Sequence, residues 1–259
     1  MNKDTIRRIV VILSVVATIV VNGLATSLPI NGQTTAEISD RFDVFFVPAG
    51  YVFSIWGLIY LGLVAYAIYQ AFPAQARNAD LRSIGGLFIL SSLANISWIL
   101  LWHYEYFALS VVVMLILLVS LIAIYLRLDI GRKQVSRGMR WAVHLPFSIY
   151  LGWITVATIA NVTALLSYWD WGGLGISPEA WTVIMLAVAT VVGGLMSFTR
   201  GDFAYALVLI WAFAGIAIKH QDTSTVAAAA WVAVAVTAIL MIAGAYRHRR
   251  QQGQLMPAV

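Results

Sequence analysis

Eight stretches of the chain are apolar with almost no charged interruption. They run over residues 9–28, 51–70, 84–102, 107–126, 141–166, 179–198, 203–219 and 225–246. A bilayer core takes roughly 20 apolar residues as a helix, so the pattern predicts an all-α integral membrane protein with about eight transmembrane helices. Turn and charge signals fill the breaks: Pro29-Ile30-Asn31-Gly32, Pro73 with Arg77 to Arg82, Arg132 to Arg140, and Thr199-Arg200-Gly201-Asp202. Ser177-Pro178-Glu179 has the order of a helix start, with Ser as N-cap, Pro at N1 and an acid in the first turn. The first run follows Lys3, Arg7 and Arg8, as a signal peptide would. It is longer than an h-region of roughly 7–15 residues, and no small-x-small cleavage site follows, so it is expected to remain as a helix.

Composition agrees with that pattern. Hydrophobic residues make up 61% of the 259 and charged residues only 10%, against about 25% charged in soluble domains. Too little polar surface is left to cover a globule. With no cysteine, neither a disulfide framework nor a thiolate metal site can be built. The net charge of +5 lies in short loops, which needs a membrane rather than nucleic acid to explain it. With the N-terminus inside, 14 of the 16 Lys and Arg fall in cytoplasmic segments, leaving Arg41 and Lys219 outside. An odd number of spans would break that alternation. The expected location is therefore the cell membrane, multi-pass, with both termini cytoplasmic and acidic outer loops carrying Glu37, Asp40, Asp43, Glu105, Asp170, Glu179 and Asp222.

No Asp, Glu, Lys or Arg falls in the middle third of any run, where ion-coupled transporters and proton pumps keep an ionisable group. Lys219 lacks the intramembrane carboxylate that a retinal Schiff base would need as counter-ion. His103 and Glu105 are two ligands at most, too few for a metal site. No Ser/His/Asp arrangement, phosphate loop or paired buried carboxylate is visible. No catalytic residues are expected, and the protein reads as a non-enzyme that requires no cofactor.

What stands out instead is a layer of aromatics and amides toward the outer face. Tyr51, Trp56 and Tyr60 lie in the outer half of the second span. Asn95, Trp98 and Trp102 form one stripe on the third, and Trp153, Ala157 and Asn161 share a face of the fifth. At about 1.5 Å per residue, Asn95 and Asn161 come to a similar depth, roughly 10 Å below the outer surface. Two readings are open: helix–helix glue with an ordinary aromatic belt, or a ligand cavity with flat aromatic walls, suited to a large planar apolar molecule.

The same residues resemble the translocator protein family (TspO, the tryptophan-rich sensory proteins, related to the mitochondrial benzodiazepine receptor). Pro48-Ala49-Gly50-Tyr51-Val52-Phe53-Ser54-Ile55-Trp56-Gly57-Leu58-Ile59-Tyr60 is similar to that family's Pro-Pro-Gly-Trp-Val-Phe…Trp…Leu-Tyr segment at the second helix. Asn95-Ile96-Ser97-Trp98 resembles its Asn-Leu-Ala-Trp, and Trp153, Ala157 and Asn161 its Trp-x3-Ala-x3-Asn. Ala49 and Tyr51 depart from the pattern, Pro146 precedes Trp153 by seven residues rather than four, and the family's cholesterol motif lacks its basic residue at Leu165 to Asp170.

The resemblance covers residues 5–168. It implies a five-helix domain over 1–170, with 171–247 as three additional helices and 248–259 as a cytoplasmic tail. It further implies a pocket formed by Tyr51, Trp56, Asn95, Trp98, Trp153 and Asn161, a porphyrin or haem-type ligand, and a homodimer in the bilayer. Gly85-Gly86 and Gly193-Gly194 are candidates for close helix approach at such an interface. The functional expectation is a ligand-binding or sensory membrane protein with an outward-facing aromatic pocket for a tetrapyrrole-like molecule. The alternative is a transporter of small hydrophobic molecules without ion coupling, and tetrapyrrole oxidation ranks last.

Overall fold

A computed structural model describes residues 3–28 and 30–254, with side chains to 248. Pro29, part of the first break, lies outside the described residues, as do residues 255–259 of the expected tail and the side chains of Arg249 and Arg250.

Ten α-helical segments follow in order: α1 (Lys3–Ser27), α2 (Thr35–Asp40), α3 (Ile55–Ala71), α4 (Ala79–His103), α5 (Phe107–Arg127), α6 (Arg137–Met139), α7 (Leu145–Tyr168), α8 (Pro178–Arg200), α9 (Phe203–Lys219) and α10 (Ser224–Gln254). Among the described residues seven helical stretches are long and apolar enough to cross a membrane, and α9 is an eighth, shorter apolar helix. Its 17 residues reach about 25 Å, short of a bilayer core of about 30 Å. The shortfall has a structural reason. Ala206, Leu209, Ala212, Phe213 and Ile216 are all fully enclosed, so α9 packs against protein on much of its surface and depends less on lipid to bury it.

The helix ends follow their sequence signals. Asn78 caps α4 by accepting from the N–H groups of Asp80 and Leu81, and Ser177 caps α8 by accepting from the Ala180 N–H. Gly201 ends α8 in the left-handed conformation at φ 63°, which glycine adopts without a Cβ penalty. The next residue, Asp202, caps α9 through the Tyr205 N–H. Thr34 and Glu37 form a reciprocal capping box on α2. That arrangement holds the Glu37 carboxyl below its ordinary range, chiefly through the hydrogen bond with the Thr34 backbone.

Helices α1, α3, α4, α5 and α7 pack as one group, and α8, α9 and α10 as another. The seam between them is α7 against α9. Gly152 on α7 makes the close approach, since a Cβ there would lie 3.1 Å from that of Val208 and 3.3 Å from the Tyr205 carbonyl. Tyr205 then donates across the seam to Thr155 Oγ1 at 2.9 Å. Gly193 and Gly194 face Leu209 and Leu240 of the same chain, so their close packing is internal. Of the other pair, Gly85 meets Arg7, while the place where Gly86 would carry a Cβ is open.

Two local features differ from a plain helix reading. The second apolar run begins as a 3-10 turn, Gly50–Ser54, and becomes α-helical only at Ile55. Ahead of Pro146, Arg140–His144 forms a π-helical turn in which the Leu145 N–H reaches the Arg140 carbonyl. Such turns often accompany functional positions. The displaced proline noted in the sequence therefore sits just past this turn, with Gly62 of α3 directly against its ring.

Candidate functional site

The charged loops distinguish the two ends of the bundle. At the basic end Arg82 pairs with Asp4 and Lys133 with Asp80, and at the acidic end Arg41 pairs with Glu105 and Lys219 with Asp40. The two predicted outer cations are thus both neutralised. His103 is fully buried, with Nδ1 2.7 Å from the Ile99 carbonyl, while Glu105 pairs with Arg41. Among the described residues no group of three or more His, Cys, Asp or Glu is placed to hold a metal ion.

Near the acidic end, Trp56 of α3, Trp98 and Trp102 of α4 and Trp153 and Asn161 of α7 converge on one cavity. Its roof is Thr35 and Ser39 of α2 together with Val47, Pro48 and Phe53. Trp98 and Trp102 are stacked at 5.9 Å, while Trp153 meets Phe53 and Trp56 edge-on at 5.7 and 6.3 Å. The walls are almost wholly aromatic and aliphatic, and the cavity measures only ≈ 40 Å³. Drug-sized ligands occupy roughly 300–1,000 Å³, so a planar ligand requires the roof to move.

The polar atoms of this layer fall into three states. Trp98 Nε1 donates to Asn161 Oδ1 at 3.0 Å, and Asn161 Nδ2 donates to Ser110 Oγ at 3.0 Å. Asn95 is fully buried one turn nearer the basic end, accepting from Asn22 Nδ2 at 2.7 Å and donating to the Tyr150 hydroxyl at 3.0 Å. Trp153 Nε1 is buried with no partner at all. An unpaired buried N–H costs about 1–3 kcal/mol, and this one belongs to a residue of the cavity wall.

Four of the six residues singled out from sequence, Trp56, Trp98, Trp153 and Asn161, line this cavity together. Tyr51 and Asn95 lie outside its wall. The 3-10 turn rotates Tyr51 outward, where it is 47% exposed and meets Trp211 edge-on at 5.4 Å. The amide of Asn95 is used up in tying α1 and α7 to α4. Residues that pattern reasoning left out are Asn22, Ser110 and the roof. Asn22 and Ser110 are polar residues inside apolar runs, a signal equal to that of Asn95. The roof had no signal in the hydrophobic pattern, because it is loop in sequence. Only the family resemblance implies a pocket beneath the loop between the first two long helices, and Pro48 and Phe53 of the resembling segment line the cavity there.

Residues 43–48 separate that cavity from a larger one. On their other side is a groove of ≈ 670 Å³ between α7 and α8, whose lining includes Asp43, Phe45, Phe46, Trp171 and Trp181. The end of this segment and the residues that follow it, 47–52, are held by α9 and by His220 just past it. The Ala49 N–H donates to the Gly215 carbonyl at 3.1 Å, Trp211 Nε1 donates to the Val52 carbonyl at 3.1 Å, and His220 Nε2 lies 3.3 Å from the Val47 carbonyl.

These observations define a multi-pass helical membrane protein with an aromatic cavity buried under one end. A family model described as TSPO-like protein matches residues 8–243. The chain therefore belongs to the TSPO-like family, and the match runs through all eight apolar helices. No curated protein and no solved structure gives a significant match.

Proposed function

We propose that the protein binds a planar, largely apolar ligand of the tetrapyrrole class in the cavity walled by Trp56, Trp98 and Trp153, and that occupancy is its signal. Membership of the TSPO-like family points to a membrane ligand-binding or sensory protein, and the finer reading rests on the site. The observation that carries it is the orphaned Trp153 Nε1, a buried donor without an acceptor on a residue of the cavity wall. A ligand carbonyl, carboxylate or ring nitrogen would supply one. The neighbouring ≈ 670 Å³ groove is large enough for such a molecule, and displacement of residues 43–48 would join it to the cavity. The acidic end faces outward in this reading, by the distribution of Lys and Arg, and the membrane is the cell membrane.

Binding is favoured over transport by what lies toward the basic end. Tyr66, Phe88 and Phe147 are almost completely buried and meet edge-on at 4.9, 5.2 and 6.0 Å. That cluster fills the bundle below the Asn95 layer, so a ligand in the cavity has no open path onward. The transport reading would require flux of ligand into proteoliposomes, where a sensor gives saturable binding alone.

The test is a titration of the detergent-purified protein with protoporphyrin IX, followed by tryptophan fluorescence. Trp153→Phe keeps an aromatic side chain but removes the five-membered ring of the indole with its N–H. Saturable binding is expected to weaken about two- to ten-fold in that variant, the value of one hydrogen bond. Ala157→Phe, which fills the cavity, is expected to abolish saturation. Equal quenching in wild type and Ala157→Phe would show partition into micelles and remove the pocket reading.

A further inference from the structure

A different kind of cavity opens at the basic end, and it is independent of the aromatic site. Its volume is ≈ 310 Å³, and it lies between the 130–135 loop, the π-helical turn before α7, and the corner joining α8 to α9. Four cations, Arg132, Lys133, Arg140 and Arg200, contribute to its wall beside a single carboxylate, Asp202. That carboxylate is already committed. Its Oδ2 accepts from the Tyr125 and Ser148 hydroxyls at 2.8 and 2.7 Å, and its Oδ1 from the Tyr205 N–H at 3.1 Å.

The cations are not all committed. Lys133 and Arg200 are paired with Asp80 and Asp129, and Arg132 donates from Nε to the Thr199 carbonyl at 3.3 Å, which leaves its terminal nitrogens without a partner among the described residues. Arg140 is exposed, and its guanidinium forms no hydrogen bond or ion pair among the described residues. His144, in the same wall, is only 6% exposed, and its buried Nε2 has no partner.

The cavity also continues into the membrane. Leu145, Phe203 and Ala204 belong both to its wall and to that of an apolar groove of ≈ 370 Å³. That groove follows α9 past Leu207 to Trp211 and is faced by Leu58 of α3. From Phe203 to Trp211 it extends about 12 Å along the helix axis. Trp141, 65% exposed, stands in the wall of the polar part, an aromatic of the kind that settles at the headgroup level of a bilayer.

We infer that the basic cavity and the apolar groove together form a binding site for an anionic phospholipid. The phosphate would lie against Arg140 and Arg132 and accept from His144 Nε2 or a water held by it, and one acyl chain would lie along α9. Charge complementarity selects the anion, because fork-shaped guanidinium groups suit phosphate oxygens. The attached apolar groove selects a lipid over a free anion, and basic pockets between membrane helices take lipid headgroups by this chemistry.

The experiment is native mass spectrometry of the full chain released from detergent, with phosphatidylglycerol and phosphatidylcholine of identical acyl chains added in equal amounts. Wild type should retain phosphatidylglycerol preferentially. Arg140→Gln removes an exposed, unpartnered charge without disturbing packing, and should reduce the preference about five-fold. Leu207→Trp, which obstructs the groove at a lipid-facing position, should weaken phosphatidylglycerol retention while leaving the fold intact. Equal retention of both lipids by wild type, or an unchanged preference in Arg140→Gln, overturns the proposal. Displacement of the lipid by an equal concentration of inorganic phosphate would assign the cavity to a free anion and overturn it as well.

Discussion

The two ends of α9 are held in place by different physics. At its start, the buried Asp202 carboxylate accepts from two hydroxyls and a backbone N–H, which joins α5, α7 and α9 at one charged point. At its far end the helix meets residues 47–52 through neutral hydrogen bonds and van der Waals contact around Gly215. It also meets α2 there through the Lys219–Asp40 ion pair, whose solvent-exposed position limits it to about 0–1 kcal/mol. Hydrogen bonds to a charged group contribute about 1.5–3 kcal/mol each, and neutral ones about 0.5–1.5 kcal/mol. One end of the helix is therefore a fixed anchor and the other a light tether. The tether is the end that supports the roof of the aromatic cavity, which would have to move to admit the proposed ligand.

That contrast can be broken most severely at the anchor. Asp202→Ala leaves the Tyr125 and Ser148 hydroxyls without their acceptor and is expected to cost about 3 kcal/mol of stability. The loss should appear as a lower thermal midpoint in detergent, with Asp202→Asn recovering part of it. A thermal midpoint unchanged in Asp202→Ala would refute the anchor.

A smaller effect is expected at the tether. A Cβ on Gly215 would lie 2.2 Å from Val52 Cγ2 and 3.1 Å from Pro48 Cβ. Gly215→Ala should therefore push the roof off α9 at a cost of about 2 kcal/mol. Hydrogen exchange should accelerate over residues 47–53 while α8 and α10 keep their protection. Uniform acceleration would mean that this end is not a separate tether.

The smallest effect sharpens the same comparison. Burial holds the His220 imidazole below its ordinary pKa of 6.5, and the neighbouring Lys219 adds to this, while Asp40, Asp43 and the bond to Val47 oppose it. The closed roof then binds fewer protons than the released one. Its stability from this group is complete above about pH 6.5 and diminishes as pH falls below that value. Exchange over residues 43–49, corrected for intrinsic rates, should rise slightly on acidification, and His220→Gln should flatten the response.

Much of the architecture was legible from hydrophobic run lengths, because a bilayer imposes a length and an apolar composition on each crossing helix. The inward stripes of Asn95 with Trp98 and of Trp153 with Asn161 also had a sequence signal. Spacing set Asn95 level with Asn161, however, whereas the structure pairs Asn161 with Trp98 and Asn95 with Asn22 and Tyr150. Asp202 had no such signal. It reads as a loop residue beside Arg200 and Gly201, and becomes a buried anchor because α5 and α7 bring hydroxyls to it. Tyr51 misled in the opposite direction: its position suggests a helix start facing the cavity, and a 3-10 turn carries it outward to Trp211.

The sequence by itself determined an all-helical membrane protein, its family resemblance and the aromatic and amide residues concentrated toward one end. Those features are local or one-dimensional: run length, spacing along a helix and the sign of loop charge. Only the tertiary structure decided that α9 would buttress the roof, that the aromatic cavity would be so small, that Trp153 would keep a free N–H, and that scattered arginines would share a wall with His144. Each depends on contacts between residues far apart in the chain, whose distances no local pattern encodes.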